Sequence, residues 1–350
     1  MPWLPEGGSA SVAQRDEAMP RVPVVVVTGY LGSGKTALIA ALIARPDMTG
    51  TAVIVNELAE VGIDQTILGD AGADDVVLLS NGCLCCGSGT DLRNAIARLL
   101  RRRRQGLALN RILVETSGAA DPGPMLQQIH FDPVLRSELR YGGVLVLFDV
   151  LDGQEMLARD PVGLRQLGLA DRILMTKTDL AEPEQTEAAR RFLLSLNPEA
   201  QVTDVRDDAV RFAGTAGRGI ANDLVANWFR ADAVTAATTP HKTAIGTWSV
   251  CGDRPVSWRQ IETPLGAIFD RHRDNVLRTK GLLWTEEDER PLVLHGIGRR
   301  FHRPVRLSRW DGAPMSRFVI IGFPGAADAA SSIANLLGGR VGFAPPNRTK

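Results

Sequence analysis

The stretch "VVVVTGYLGSGKTALIAALI", from Val24 to Ile43, decides the fold of this 350-residue chain. Its leading valines are typical of a strand that is buried on both faces, and the residues from Thr36 to Ala44 have the pattern of a helix. The octapeptide "GYLGSGKT" between them fits the P-loop motif G-x-x-x-x-G-K-[ST], in the strand–loop–helix context that the motif requires. The sequence therefore predicts a binding site for nucleotide phosphates at this loop.

The residues of this loop have separate expected tasks. The glycines allow backbone N–H groups to curl around phosphate oxygens, and the N-terminus of the following helix attracts negative charge. The Lys35 ammonium is expected to bridge the β- and γ-phosphates, and the Thr36 hydroxyl is expected to bind Mg²⁺. We predict that both residues act in catalysis and that the nucleotide contacts Gly29, Gly32, Ser33, Gly34, Lys35 and Thr36.

From about residue 21 to residue 229, short apolar runs alternate with helical patterns. The apolar runs after the P-loop are "TAVIVNE", "VVLLS", "RILVETSG", "GGVLVLFDV" and "DRILMTKTD". Such alternation is typical of a doubly wound, mostly parallel α/β sheet. Because ligands of these sheets bind at the carboxyl ends of the strands, we predict a P-loop NTPase domain with its site at that edge.

The pattern changes after residue 229. Residues 230–242 are small and polar, as in a linker, and residues 243–345 contain several strand-like runs with two helical segments. We predict a smaller C-terminal α+β domain with an antiparallel sheet over residues 243–345. Residues 1–20 are predicted to form a flexible N-terminal lead.

The composition limits the kinds of partner. The 40 basic and 40 acidic residues give a formal net charge of zero, which provides no electrostatic footprint for nucleic acid or for an anionic membrane. No apolar run approaches the roughly 18–20 residues of a membrane span, and the N-terminus lacks the pattern of a secretory signal. We therefore expect a cytoplasmic protein without nucleic-acid or membrane partners; the sequence does not indicate its oligomeric state.

The segment "TKTD", Thr176 to Asp179, indicates which base is bound. A carboxylate at Asp179 can accept hydrogen bonds from guanine N1–H and from the exocyclic amine, whereas adenine offers no such pair of donors. Lys177 would lie along the plane of the base. The segment resembles the guanine motif N-K-x-D, with Thr176 in place of asparagine, so the sequence favours GTP over ATP.

The segment "ILVETSGAADP", Ile112 to Pro122, places an acid directly after an apolar run. An acid at this position holds Mg²⁺ in P-loop NTPases. Glu115 is therefore predicted to bind the ion through water and to take part in catalysis. Gly118 is predicted to approach the γ-phosphate through its backbone N–H.

Three of the four cysteines are clustered. Cys83, Cys85 and Cys86 form a C-x-C-C motif that is flanked by glycines. Three thiolates at this spacing favour a soft or borderline ion such as Zn²⁺, Co²⁺, Cu(I) or Ni²⁺. A fourth ligand must come from elsewhere, and an incomplete ligand shell suits metal transfer better than permanent storage.

The P-loop, C-x-C-C, E-T-S-G-x-A-D-P and T-K-x-D motifs, in this order, resemble those of the CobW-type GTPases, the cobalamin-synthesis-protein family of metallochaperones. The resemblance implies a slow GTPase with a CobW C-terminal domain, which delivers zinc, or alternatively cobalt, to a client metalloprotein. The segment "VNELAEVGID" resembles the switch region of the family. It implies Glu57 as a metal ligand beside the thiolates and Asp64 as a Mg²⁺ or switch residue.

The chain departs from this family in two places. Many zinc-handling members carry a histidine-rich stretch between the domains, whereas this linker has only His241. That difference favours a carrier of single ions over a metal store. Some members also place a histidine after the A-D-P loop to complete the metal site; here the segment reads "QQIHFDPVL", so His130 and Asp132 are the candidates.

Three other functions are compatible with some of these residues. A small-molecule kinase would use the P-loop, although it would prefer ATP. A redox sensor would form a reversible disulfide between Cys83 and Cys86. A scaffold GTPase with a purely structural zinc site would hold the metal equally well with GTP and with GDP.

Overall fold

The computed structural model describes residues 19–55, 76–78, 90–206, 245–301, 304–307 and 314–342, with the backbone alone at residues 76–78, 90–91 and 130. Two β-sheets make up these residues, one in each predicted domain. Most of the predicted N-terminal lead and the whole predicted linker, residues 230–242, lie outside the described residues.

The N-terminal sheet consists of seven parallel strands. They are β1 (Val22–Gly29), β2 (Thr51–Val55), β3 (Val76–Leu78), β4 (Arg111–Glu115), β5 (Leu139–Asp149), β6 (Arg172–Thr176) and β7 (Gln201–Asp204). Their order in the sheet is β3-β2-β4-β1-β5-β6-β7, and every neighbouring pair is parallel. The prediction of a mostly parallel sheet is therefore confirmed.

Helices cover both faces of this sheet. They are α1 (Lys35–Ile43), α2 (Thr90–Arg104), α3 (Pro122–Phe131), α4 (Leu135–Glu138), α5 (Gly153–Arg159), α6 (Val162–Leu169) and α7 (Pro183–Leu196). All eight residues of the central strand β1 are buried. Val25 and Val27 share a core with α1, whereas Val24 and Val26 share the larger core with α2, α3, α6 and α7. The all-valine run is thus explained by burial on two faces.

The C-terminal sheet consists of seven antiparallel strands with two helices. The strands are β8 (Gly246–Gly252), β9 (Val276–Thr285), β10 (Asp288–Ile297), β11 (Arg300–Phe301), β12 (Val305–Arg306), β13 (Ser316–Gly322) and β14 (Arg340–Gly342), and the helices are α8 (Trp258–Arg271) and α9 (Ala326–Leu336). The apolar sides of the two helices pack on one face of the sheet, which confirms the predicted α+β class. None of the helices in the described part of the chain is both long and apolar enough to cross a membrane.

The other face of the C-terminal sheet packs against the P-loop domain. Ile245, Leu277 and Ile321 of the C-terminal domain belong to the same core cluster as Leu167 and Leu169 of α6. A Cβ atom at Gly168 would lie 2.7 Å from Leu277 Cδ1, so the backbone of α6 approaches the sheet closely. The two domains therefore share one continuous hydrophobic core, and α6 lies at their junction.

Candidate functional site

The P-loop begins where β1 ends, and three of its glycines have positive φ angles. A Cβ atom at Gly29 would lie 2.4 Å from the carbonyl oxygen of Leu147 on β5, so a larger residue would displace the neighbouring strand. Gly32 and Gly34 have φ angles of 74° and 92°, which side chains disfavour, although no other atom lies within 4 Å of the Cβ position. Sterics therefore require glycine at the first position, and backbone conformation requires it at the other two.

Lys35 lies almost wholly inside the loop, since only 6% of its surface is exposed. Its Nζ donates hydrogen bonds to the carbonyl oxygens of Gly29 at 3.0 Å and of Tyr30 at 3.3 Å. The side chain is thus folded back over the loop, and its positive charge adds to that of the N-terminus of α1, which begins at Lys35. Both features attract a phosphate group.

Thr36 and Glu115 are brought together although they are far apart in sequence. The Thr36 hydroxyl donates a 2.9 Å hydrogen bond to Glu115 Oε1. The contact arises because β1 and β4 are neighbours, with Val27 in register with Glu115, so that the two motifs start from the same edge of the sheet. A hydroxyl and a carboxylate side by side supply the oxygen ligands that Mg²⁺ prefers.

The segment after β4 lies against the P-loop. The Thr116 hydroxyl donates to the Thr28 hydroxyl at 2.6 Å, and both side chains are buried. A Cβ atom at Gly118 would lie 2.6 Å from the backbone nitrogen of Leu31, so the two loops touch through their backbones. The absence of a side chain at Gly118 is therefore a packing requirement of the junction between the P-loop and this segment.

The predicted base motif forms a tight turn at the end of β6. The Thr176 hydroxyl donates to the Phe148 carbonyl oxygen at 3.3 Å, and the Leu180 N–H donates to the Lys177 carbonyl oxygen at 3.1 Å. Lys177 has a φ angle of 58°, and it alone among the described non-glycine residues has a positive φ. Strained backbone of this kind concentrates at binding sites. The Asp179 side chain, next in the turn, is exposed.

Asp149, which the sequence analysis did not select, holds Lys177 in place. Its Oδ2 lies 2.5 Å from Lys177 Nζ, and this hydrogen bond raises the pKa of Lys177 above its usual value. The other carboxylate oxygen, Oδ1, accepts a 2.9 Å hydrogen bond from the Leu151 N–H. The signal in the sequence was an acid directly after the apolar run "GGVLVLF", the same signal that pointed to Glu115.

The phosphate motif and the base motif open into the same cavity, which has a volume of about 180 Å³. Residues 30–33 of the P-loop line one part of it, and Asp149 and Lys177 line another. A single ligand can therefore contact both motifs. Gln166 of α6 also lines this cavity, and its side chain donates to two carbonyl oxygens of the segment after β4.

The predicted transition-metal ligands lie outside the described residues. This holds for Glu57, Cys83, Cys85 and Cys86, for the predicted Mg²⁺ residue Asp64, and for the side chain of His130. The described parts of the chain contain no group of three or more histidine, cysteine or acidic residues that could hold a metal ion. The cysteine motif joins the end of β3 to the start of α2, and β3 runs parallel to the strands that carry the P-loop and Glu115.

Asp132, a candidate to complete the metal site, has a structural task in the described residues. Its carboxylate lies 2.8 Å from Arg93 Nε on α2 and accepts hydrogen bonds from the N–H groups of Val134 and Leu135. It therefore ties α2, the helix that follows the cysteine motif, to the start of α4. Its role as a metal ligand stays a prediction.

Comparison with known proteins agrees with this geometry. Residues 23–204 match the family model described as "CobW/HypB/UreG, nucleotide-binding domain", and residues 245–337 match the "Cobalamin synthesis protein cobW C-terminal domain". The chain is 30% identical to the zinc chaperone YjiA of Escherichia coli over 309 residues, which cover 86% of this chain and 94% of YjiA. It is 29% identical over 348 residues to the zinc-regulated GTPase metalloprotein activator 1 of Saccharomyces cerevisiae, with 86% of this chain and 80% of the relative covered.

The similarity extends to a solved structure. The crystal structure of the Zn(II)-bound YjiA GTPase from E. coli superposes with a TM-score of 0.65 at 26% identity, covering 91% of this chain and 99% of that chain. Because 91% of this chain is covered, the match includes both sheets. Because the two family models match the P-loop domain and the C-terminal domain in this order, the chain belongs to the CobW family of P-loop proteins, within the CobW/HypB/UreG group.

Proposed function

We propose that this protein is a metallochaperone that binds one transition-metal ion, zinc in the first place and cobalt as the alternative, at the C-x-C-C motif. It transfers the ion to a client metalloprotein under the control of GTP hydrolysis, in the cytoplasm, where thiols stay reduced. The protein is a GTPase, as are its named relatives. The observation that carries the proposal is the shared cavity, into which the P-loop and the Lys177 turn both open.

Each residue of the P-loop and of the segment after β4 has a task that follows from its contacts. Lys35 and the P-loop N–H groups bind the phosphates, and the Gly118 segment lies where it can contact the γ-phosphate. Thr36 and Glu115 would hold Mg²⁺, whose charge stabilises the phosphoryl group during transfer. We expect slow intrinsic hydrolysis, because the sequence identifies neither an arginine finger nor a catalytic base for the attacking water.

The choice of base rests on Asp179, and Asp179→Asn is expected to weaken GTP binding by roughly ten- to a hundredfold. The reason is that a charged acceptor of two guanine hydrogen bonds is replaced by a neutral amide. ATP binding should change little, so the ratio of the two affinities is the informative quantity. It is measured by competition against a fluorescent GDP analogue.

The matched control is Glu184→Gln, which removes an exposed negative charge in the first turn of α7, outside the base motif. This variant should keep the preference for GTP. A wild-type protein that prefers ATP would instead support the small-molecule kinase. An unchanged ratio of GTP to ATP affinity in Asp179→Asn would show that another residue recognises the base.

The metal assignment predicts that replacing Cys83, Cys85 and Cys86 together by alanine lowers Zn²⁺ affinity by more than about a hundredfold. Losing a group that only orients a metal ligand already lowers metal affinity 10- to 100-fold. Losing three thiolate ligands must therefore lower it further. Equilibrium dialysis with Zn²⁺ and with Co²⁺ measures the change. Cys251→Ala is the control, because Cys251 is the remaining cysteine and lies half-buried in β8.

Unchanged metal affinity in the triple variant would refute the metal site. Thiol titration before and after mild oxidation, without metal, then separates the carrier from a redox switch, which would lose two titratable thiols reversibly. We expect metal affinity to differ between the GTP-bound and GDP-bound protein, because the segment with Glu57 and Asp64 links the two sites in sequence. Equal affinity in both states would favour a structural zinc site.

A further inference from the structure

Gln166 makes a pair of contacts that no motif of the nucleotide site explains. It lies on α6 with 1% of its surface exposed, and its Nε2 donates to the carbonyl oxygens of Gly118 and of Ala120, both at 3.1 Å. Both hydrogens of the amide are therefore used on one short loop. A carboxylate or a hydroxyl could not donate two such bonds from one atom.

These two bonds control how the loop presents its N–H groups. A peptide unit is planar and trans, so fixing a carbonyl oxygen also fixes the direction of the N–H on the following residue. The peptide between Ala119 and Ala120 is fixed as well, because the Ala120 N–H donates to the Ser117 carbonyl oxygen at 3.1 Å. Gln166 thus fixes the N–H groups of Ala119 and Asp121 directly. It acts on the Gly118 N–H through the Ala119–Ala120 peptide, which lies between the two fixed carbonyl groups and whose N–H holds the Ser117 carbonyl oxygen.

The helix that carries Gln166 is itself held at its middle and at its C-terminal end. Arg165 forms an ion pair with Asp121 at 3.6 Å, and its guanidinium lies 4.7 Å from the centre of the Phe323 ring in the C-terminal domain. At the end of α6, the Leu169 carbonyl oxygen accepts a hydrogen bond from Arg278 of β9. The position of Gln166 is therefore set by a rigid junction, which suits a residue that must orient a loop.

We propose that Gln166 is a positioning residue for recognition of the γ-phosphate, acting through the loop from Gly118 to Ala120. This inference rests on the proposed GTP site. It assigns to Gln166 the discrimination between a nucleoside triphosphate and a nucleoside diphosphate, because the Gly118 N–H is the proposed contact of the γ-phosphate, which a diphosphate lacks. The diphosphate is held by the P-loop and the base motif, which Gln166 does not contact through hydrogen bonds.

Two variants test the inference. Gln166→Glu keeps the shape of the side chain but places an acceptor opposite the two carbonyl oxygens. Gln166→Met removes the two donor hydrogens without adding charge. Both variants should bind a non-hydrolysable GTP analogue about tenfold or more weakly, whereas GDP affinity should stay within about twofold. The kcat for GTP should fall more than the KM for GTP changes. Isothermal titration and phosphate release measure these quantities.

Asn197→Asp is the matched control. Asn197 is also a fully buried amide whose nitrogen donates to two carbonyl oxygens, those of Leu167 at 2.7 Å and Ala170 at 3.1 Å, but it does not touch the loop. It should lose thermal stability while keeping the ratio of triphosphate to diphosphate affinity.

Three outcomes overturn the inference. An unchanged ratio of triphosphate to diphosphate affinity in folded Gln166→Met, whether from no loss or from equal losses for both nucleotides, would assign Gln166 a purely structural role. If Asn197→Asp also lowers the ratio of triphosphate to diphosphate affinity, a general destabilisation of α6 causes the change in both variants. Failure of the wild-type protein to bind either nucleotide would refute the GTP site itself, which distinguishes that failure from a wrong role for Gln166.

Discussion

Replacing Lys35 by alanine is expected to lower kcat/KM for GTP by about a hundred- to a thousandfold. This is the usual cost of removing one electrostatic group that stabilises charge in a transition state. The effect should be large here because the ammonium is buried in the loop and held by the Gly29 and Tyr30 carbonyl oxygens, so solvent cannot replace it. Phosphate release at saturating Mg²⁺ measures the change.

Lys242→Ala, a lysine of the predicted linker, is the control for the loss of a positive charge, and it should retain wild-type turnover. Circular dichroism of Lys35→Ala should match that of the wild type, because the lost bonds lie within one loop. A kcat/KM within tenfold of the wild-type value would mean that another group binds the phosphates. That result would contradict the assignment of the P-loop as the catalytic site.

The phosphate site could be predicted because its determinants are local. The P-loop needs a strand, three glycines with special backbone angles and a helix N-terminus, and all of them lie within "VVVVTGYLGSGKTALIAALI". The sequence also predicted that Glu115 follows a strand of the same sheet. It did not predict that β4 lies directly beside β1, and this order alone explains the hydrogen bond between Thr36 and Glu115.

The residues whose roles the sequence did not predict contact partners that are far away along the chain. Gln166 contacts Gly118 and Ala120 from a helix that lies between β5 and β6. Its partners are backbone carbonyl oxygens, which carry no sequence signature. Two signals were available. The segment "QLGLADRILMTKTDL", which begins at Gln166, resembles the Q-x-x-x-A-D segment of the CobW family, and an uncharged polar residue beside the apolar residues of "VGLRQLGL" indicates a buried side chain that needs hydrogen-bond partners.

A similar signal was present in the C-terminal domain. The strand "VLRTKGLLW" carries Arg278 and Lys280 within an apolar run, and both side chains are buried. Buried charges require partners of opposite charge. The sequence does not identify these partners, because Asp171 and Glu199 lie in the other domain and meet β9 only when the two domains pack together.

The second large effect is expected at this junction: Asp171→Ala should lower the free energy of unfolding by about 3–5 kcal/mol. Asp171 and Arg278 form an ion pair in which each side chain is 1% exposed, so alanine would leave a buried guanidinium without its countercharge. The carboxylate also accepts hydrogen bonds from the Tyr141 hydroxyl and from the Val144 N–H. Urea denaturation followed by tryptophan fluorescence measures the loss.

The pH dependence of the pair has a definite sign. Burial alone would raise the pKa of Asp171, but the positive charges of Arg278 and Lys280, together with the hydrogen bonds from Tyr141 and Val144, outweigh it and lower the pKa below its usual value of 3.8. A carboxyl group with a lowered pKa in the folded state stabilises the fold above its unfolded pKa. This contribution is lost as the pH falls below about 4 and passes through the folded pKa. The wild-type protein should therefore lose more stability in this range than Asp171→Ala does.

Two further variants distinguish the loss of the ion pair from a general destabilisation of the fold. Asp288→Asn removes a carboxylate of the exposed Asp288–Arg290 pair and should change stability little, because solvent screens such pairs. The double variant Asp171→Leu with Arg278→Met should recover much of the loss, since an apolar pair of similar size leaves no buried charge unpaired. If Asp171→Ala costs no more than Asp288→Asn, the buried pair does not stabilise the junction. If the double variant is as unstable as the single one, the loss comes from the Tyr141 and Val144 hydrogen bonds instead.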